Sequence, residues 1–405
     1  MSRKGSLVIL TIILLLGSFL RVTVTVQEGS RFFLNSDDAC YVNSGATLAQ
    51  TGMLTYGDPG KPSAFLMPGY PFFLALIFKI AGSCNLLAVR LVQDFLSVVC
   101  IWLIFLLGKE MFSVGIGLLA AFITACYPPN ILAPNLILTE TLFSVFLYAF
   151  LFLVFRYFRL IRTPFLATGG IILSLATLVR PTAALLPGTV ALIECLKRNW
   201  NKGLRAFLIL QLAVVTALIP WWIRNYLHFD KFIPLTTNNG NPLLTGTYLN
   251  NSLWTPRGSA AQFWPKVPGD EAATDQALRN YAFQRIKANF RQDFWTYLNW
   301  YTIGKFKVLW WDHPFYWFSL ARLPQQSVTL LHQILMICSL LGIATSLIKP
   351  GKNLPYILLI LFTFLYFTLT HLVYVASSRY AFPLISLAFI FAAFFISLPF
   401  SKINN

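Results

Sequence analysis

Long uninterrupted apolar runs, divided by short polar connections, set the pattern of this chain. The first, about Leu7 to Val26, follows Arg3 and Lys4. Others fall near 86–107, 114–127, 136–155, 165–179, 182–195, 206–226, 326–347, 354–376 and 380–400. A helix needs about 20 apolar residues to cross a bilayer core, so the pattern predicts an all-α polytopic membrane protein of about ten spans. The runs are continuous, as in LVILTIILLLGSFL, whereas a membrane β-barrel would show short alternating segments. No Ala-x-Ala signal follows the first run, which reads as an uncleaved helix rather than a signal peptide.

Two polar stretches break the series, Gln27 to about Cys84 and about Leu227 to Gln325. They divide the chain into an N-terminal membrane module (1–226), a loop region (227–325) and C-terminal membrane helices (326–405). The loop region carries 6 of the 14 acids and 10 of the 31 bases, too many for further spans. Within it, Asp270 to Phe290 reads as an amphipathic helix with Leu278, Ala282, Ile286 and Phe290 on one face. Phe294 to Trp311 is rich in aromatic residues and holds Lys305 and Lys307, a composition suited to the headgroup level.

Composition supports the same class. Only 11% of residues are charged and 57% are hydrophobic, against about a quarter charged in soluble domains. That excludes a water-soluble globular enzyme, and disorder, coiled coil and collagen with it. The net charge of +17 needs no nucleic acid. With the N-terminus inside, the inner connections hold Arg3, Lys4, Lys109, Arg156, Arg159, Arg162, Lys197, Arg198, Lys202, Arg205, Lys349, Lys352 and Lys402, while the short outer ones hold almost none. The positive-inside rule then puts the N-terminus in the cytoplasm of a cell whose inner or plasma membrane this chain crosses, and both long polar segments outside. The six cysteines (40, 84, 100, 126, 195 and 338) show no CxxC spacing and no disulfide framework. No GxGxxG, Walker or HExxH sequence is present, which leaves dinucleotide, ATP and zinc-protease chemistry without support.

Charges at membrane depth are costly and usually functional. Glu140 lies in ILTETLF near the outer end of the fourth run, and Arg180-Pro181 separates the fifth from the sixth. Arg224 closes the seventh in PWWIRNY, and Arg379-Tyr380 joins the last two, near His371. All map to the outer half and suggest a polar cavity there. In the first outer segment, Asn35 or Ser36 can cap a helix that ends at Thr51-Gly52, with Asp37 and Asp38 in its first turn. The prolines of MPGYPFF then start another helix. Arg90 and Asp94 are polar exceptions inside the second run.

These residues resemble a family. Asp37-Asp38, Tyr41, Ala46 to Ala49, Gly52 and Pro68-Gly69-Tyr70-Pro71 are similar to the first outer loop of GT-C glycosyltransferases of the protein O-mannosyltransferase type (glycosyltransferase family 39) and of the lipid A aminoarabinose transferase. The likeness continues through Leu138 to Phe143, Leu178 to Thr182, Pro220 to Tyr226 and Ser378 to Pro383, in order along most of the chain. Asp38 stands where the family commonly has Glu, and no base directly precedes the Pro-rich turn, Lys61 being nearest.

The resemblance implies an inverting transferase that moves a sugar from a polyprenyl-phosphate donor to an acceptor hydroxyl on a glycan, lipid or protein, outside the membrane. Asp37 becomes the expected base, with Asp38 as support or second candidate and Glu140 as a further site acid. On spacing alone, the two aspartates would do no more than stabilise a helix N-terminus, by about 0.3–1 kcal/mol each. Arg379, then Arg180, Arg224 and Lys305, are the candidate ligands of the donor phosphate, because arginine offers a planar fork to phosphate; each could equally be an interface anchor. Tyr41, Tyr70, His371 and Tyr380 complete the expected pocket. Asp312 and His313 read as surface loop. No tightly held metal is expected; a loosely held divalent cation near Asp37 and Glu140 stays open. The alternative is a solute transporter or lipid flippase, whose polar residues would continue into the inner half.

Overall fold

The computed structural model describes residues 2–250, 264–312 and 323–401. Apolar chain in a bilayer must satisfy its backbone polar groups internally, and the described residues do so as helices, with no strand beyond an isolated bridge between Thr55 and Pro62. In chain order these are α1 (Arg3–Glu28), α2 (Asp37–Thr51), α3 (Gly69–Ala81), α4 (Leu86–Met111), α5 (Val114–Cys126), α6 (Pro128–Leu132), α7 (Glu140–Leu160), α8 (Thr163–Val179), α9 (Pro187–Leu196) and α10 (Trp200–Phe229). The loop region contributes α11 (Gly240–Thr245), α12 (Glu271–Gln292), α13 (Phe294–Asn299) and α14 (Lys305–Trp310), and the C-terminal part α15 (Gln325–Ile348), α16 (Leu354–Val373) and α17 (Ser378–Ser401).

Seven of these helices are long and apolar enough to cross a membrane: α1, α4, α7, α10, α15, α16 and α17. An eighth span results if α5 and the segment Pro128–Asn135, bent from it by 64°, are taken together. The expectation of ten counted α8 and α9 as well. These are apolar but only 17 and 10 residues long, because Pro181 cannot continue a helix and ends α8 at Val179. The core runs through α17 and α7, of whose apolar windows 72% and 61% are buried, while α1 at 22% and α10 at 28% lie at the margin.

Small residues let these helices approach closely. A Cβ placed on Gly342 of α15 would stand 2.0 Å from the Phe391 carbonyl oxygen of α17, and one on Gly108 of α4 would stand 2.9 Å from Gly117 of α5. At one end of the bundle, Glu110 of α4 binds Arg156 and Arg159 of α7 at 3.5 and 2.8 Å. The opposite end carries α2, α3 and α11–α14. There α12 starts one residue after Asp270, whose carboxylate accepts the Ala273 amide at 2.8 Å. Leu278 and Ala282 meet Leu243 and Leu244 of α11, as the amphipathic pattern predicted, and Phe290 continues onto the rings of Phe294, Tyr297 and Tyr301.

The contact at Gly342 has no room to relax, since the opposing atoms are backbone. Gly342→Val should therefore destabilise the fold by about 1–3 kcal/mol or more, read as a lower Tm in detergent; an unchanged Tm would mean that α15 and α17 do not pack this way.

Candidate active site

The helix-start signal at Ser36 and the stop at Gly52 produce α2 as expected, with Gly52 in the left-handed conformation at φ 75°. The cap itself differs from expectation. Ser36 makes no side-chain cap bond; instead the fully buried Asp38 reaches back and accepts the amides of Leu34 at 2.5 Å and Ser36 at 2.8 Å. Asp38 is thus spent on holding the chain entering α2. That leaves Asp37, the preceding residue in the same turn, with its side chain 52% exposed.

Asp37 is not free. Its Oδ2 accepts from Arg379 Nη1 at 2.6 Å, and the Nε of the same guanidinium donates to Glu140 Oε1. Glu140 also binds Arg180 Nη2 at 2.7 Å, while Arg180 Nε donates to Thr139 Oγ1 at 2.8 Å. Four residues from α2, the start of α7, the end of α8 and the start of α17 therefore form one chain of charges. The two acids balance the two arginines. Arg379 and Arg180 are 12% and 13% exposed and Glu140 3%, so only Asp37 opens the cluster to solvent. Glu140 Oε2 has no hydrogen-bond partner. The carboxylates converge on a guanidinium instead of on a shared ligand position, and among the described residues no group of three or more His, Cys, Asp or Glu side chains is placed to hold a metal ion.

Aromatic residues wall the cluster. Tyr41, one turn along α2 from Asp37, meets Tyr70 edge-on at a centroid distance of 4.9 Å. Burial, above all, raises the phenol pKa of both, so they act as neutral hydroxyls. His371 stacks on Tyr380 at 4.5 Å with planes 6° apart, next to Arg379. Tyr56 stacks on Phe65 at 4.1 Å; burial first, then the neighbouring Cys40 and Asp37, hold its phenol up as well. Tyr56 had no motif to point to it.

Two candidate phosphate ligands are occupied elsewhere. Arg224 donates to the carbonyls of Ser63 at 2.8 Å and Leu54 at 3.0 Å, and so clamps the turn between them. Glu271 clamps the same turn from the loop region, accepting from Ser63 Oγ at 2.8 Å and the Ala64 amide at 2.6 Å. Lys305 is fully buried, with its Nζ on the carbonyls of Leu372 and Tyr374 at 2.8 Å each and Val373 at 3.4 Å. It caps the open end of α16, whose last carbonyls lack helical partners. Burial pulls its pKa down to about 7. Asp312 is half-buried, and His313 lies outside the described residues.

Gln93, which no sequence signal singled out, carries the approach to Glu140. It accepts the Tyr70 hydroxyl at 2.9 Å and donates to the carbonyls of Pro134 and Leu136 at 2.7 and 2.9 Å. Arg90 adds a bond to the Asn135 carbonyl at 3.0 Å. Gln93 and Arg90 of α4 are thus spent on a bent segment inside the bundle, where non-helical backbone needs side-chain partners. Beyond Asp94 and Ser97, α4 is apolar from Ile101 to Leu107.

Comparison with known proteins bears on the family and the fold. Residues 61–223, two fifths of the chain, match the family profile described as dolichyl-phosphate-mannose-protein mannosyltransferase. That span contains Tyr70, Glu140 and Arg180; Asp37, Arg224 and Arg379 lie outside it. No curated protein matches the sequence. Among solved structures, the Archaeoglobus fulgidus oligosaccharyltransferase in complex with Zn and sulfate is similar, with a TM-score of 0.58, 13% identity, and coverage of 98% of this chain and 49% of that one. The A. fulgidus oligosaccharyltransferase AglB, in complex with an inhibitory peptide and a dolichol-phosphate, gives 0.57, 13%, 99% and 51%. ArnT from Cupriavidus metallidurans bound to undecaprenyl phosphate gives 0.47, 14%, 100% and 80%. The chain therefore has the membrane fold of the archaeal enzyme and spans about half its length.

Two outcomes test this geometry. Gln93→Leu would orphan two buried carbonyls and the Tyr70 hydroxyl, so it should cost about 2–4 kcal/mol, measured as a fall in Tm; a neutral effect would remove Gln93 from this role. For Lys305, the unfolded chain holds its proton up to about 10.5 and the folded chain only to about 7. Between these values the unfolded state binds more protons, so stability rises with pH across the window. Lys305→Met should abolish that rise in Tm–pH profiles. A mutant profile parallel to wild type would show that Lys305 keeps its proton throughout.

Proposed function

We propose that this chain is a membrane glycosyltransferase that moves a sugar from a polyprenyl-phosphate donor to an acceptor hydroxyl, with inversion at the anomeric carbon. The observation that carries the reading is the half-exposed Asp37 carboxylate held at 2.6 Å by Arg379, a guanidinium shared with buried Glu140. A base and a phosphate-binding cation are thereby side by side, as attack by a hydroxyl with loss of a phosphate requires. The family match over residues 61–223 supports the same class, and so does the fold shared with AglB, whose structure holds a dolichol-phosphate.

In this mechanism the acceptor oxygen attacks the anomeric carbon while its proton passes to Asp37. The bond from that carbon to the phosphate oxygen breaks, and the electron pair leaves on polyprenyl phosphate. Arg379 and Arg180 stabilise the charge of the leaving group. Glu140 stays buried between them and keeps both guanidinia in place. Because Arg379 Nη1 is held by Asp37 before substrate arrives, the donor phosphate takes that donor first and releases Asp37 to act as base. Donor binding then precedes acceptor binding.

The cluster lies at the bundle end opposite Glu110, Arg156 and Arg159. With the basic connections in the cytoplasm, the site opens on the extracytoplasmic side of the inner or plasma membrane. There a lipid-linked donor is available and a nucleotide sugar is not. The module 1–226 supplies Asp37, Glu140 and Arg180, the described part of the region 227–325 holds the turn beside the site through Glu271, and 326–405 supplies Arg379. The sugar is a hexose or pentose, and the acceptor a glycan, lipid or protein hydroxyl.

Purified protein in nanodiscs with a polyprenyl-phosphate sugar tests the roles. Asp37→Asn should lower transfer by about 10²–10⁴-fold with donor binding kept, and Arg379→Ala should lose donor binding while the protein stays folded. Full turnover by Asp37→Asn would remove it as the base, and unchanged donor affinity in Arg379→Ala would remove the phosphate role.

A further inference from the structure

Arg21 and Asp94 are absorbed by nothing above. Arg21 sits within the first apolar run and is fully buried in α1. Its Nε donates to Ser97 Oγ of α4 at 2.7 Å, and its Nη1 donates to the carbonyls of Gly17 at 2.9 Å and Ala125 at 3.2 Å. Ala125 is the penultimate residue of α5, where the chain breaks before α6 and turns through 64°. Arg21 Nη2 has no partner in the protein. Asp94, 2% exposed on α4 beside the Thr25 hydroxyl, has no ion-pair partner within 4 Å, and it is the acid whose charge acts on Arg21. The two are not in direct contact.

A small cavity adjoins Arg21. Ser97, Thr124, Asn130 and Ser144 line it together with apolar groups such as Ala133 and Phe382, and its volume is about 20 Å³. A buried water needs about 10–15 Å³ and two to four polar partners, so one water fits beside the guanidinium. The same cavity touches Thr141 of α7, next to Glu140, and Phe382 of α17, one turn from Arg379. Asn130 joins the break to α17, donating to Thr124 O at 3.2 Å and Ser386 Oγ at 3.0 Å. Thr25, one turn beyond Arg21, donates to Asn135 Oδ1 at 3.0 Å, four residues before Thr139.

We propose that Arg21 and Asp94 are positioning residues for the transfer site: Arg21, charge-balanced by Asp94 and hydrated through the cavity, holds the break between α5 and α6 and so sets where Thr139 and Glu140 begin α7. This rests on the reading that Glu140 belongs to the site. A charge buried at this depth without its counter-charge is costly, so removing one member should disturb the break more than removing both.

Hydrogen exchange in nanodiscs tests this without reference to catalysis. Arg21→Gln should speed exchange of the Asn130–Leu138 amides at least tenfold and leave α10 and α16 unchanged, and Arg21→Gln with Asp94→Asn should exchange closer to wild type. Transfer, where wild type shows it, should fall by about 10- to 100-fold in kcat at constant donor KM, as expected of a misplaced site group. Unchanged exchange at 130–138, or faster exchange spread evenly over all helices, would overturn the proposal. Should Arg21→Gln not fold, Arg21→Lys keeps the charge but loses the fork, and it should show the same local increase in exchange; wild-type exchange in that variant would equally overturn it. Absence of transfer in wild type would count against the transferase reading alone, since the exchange results stand apart from it.

Discussion

Everything at the proposed site depends on one guanidinium. Arg379 stands at the start of α17 and bonds to acids that lie far away in the chain, Asp37 on α2 and Glu140 on α7. Alone, each of these charges would be expensive at the edge of a bilayer. Together with Arg180 they balance, and the balance lets Glu140 stay buried while Asp37 remains open to solvent. In the proposed mechanism an incoming phosphate competes with Asp37 for Arg379. Binding of the donor and release of the base are then one event.

The cluster in turn depends on a break in the membrane bundle. Between α5 and α7 regular α-helix is interrupted from Tyr127 to Thr139, with only the short α6 and the 3₁₀ turn Ala133–Asn135 inside that stretch, and backbone groups there cannot go unpaired. Side chains from α1 and α4 supply the partners: Arg21 for Ala125, Gln93 for Pro134 and Leu136, and Arg90 for Asn135. This explains polar residues in spans that would otherwise suggest a route for solute. The turn around Leu54 and Ser63 is fixed by the same logic from the other side, with Arg224 and Glu271 holding its backbone.

Much of this was legible in the residues. Continuous apolar runs announce helices in a membrane, and Ser36 and Gly52 bound α2 correctly because start and stop signals are local. Asp37, Glu140, Arg180 and Arg379 stood out as charges at helix ends. Their pairing was not legible, since Asp37 and Arg379 are 342 residues apart and only the folded bundle joins them. Spacing also could not tell Asp38, which serves the backbone, from Asp37, which does not. In sequence, Arg224 and Lys305 look alike whether they meet phosphate, lipid or the carbonyl oxygens they bond in the fold. Gln93 carries no charge and belongs to no motif, so its triple contact leaves no trace in the sequence. The span count rests on α8 and α9, whose apolar content suits a membrane while the break at Arg180-Pro181 keeps them short.

The central claim is chemical cleavage of a lipid-linked sugar at the Asp37–Arg379 pair. The most direct measurement follows wild-type protein in nanodiscs given a radiolabelled polyprenyl-phosphate sugar and a cell-envelope extract, and quantifies transferred sugar, its anomeric configuration and the lipid product together. The account predicts polyprenyl phosphate released in equal amount to sugar transferred, with the opposite anomeric configuration in the product. Intact donor moved across the bilayer without cleavage, by folded protein and with each donor tried, would contradict it.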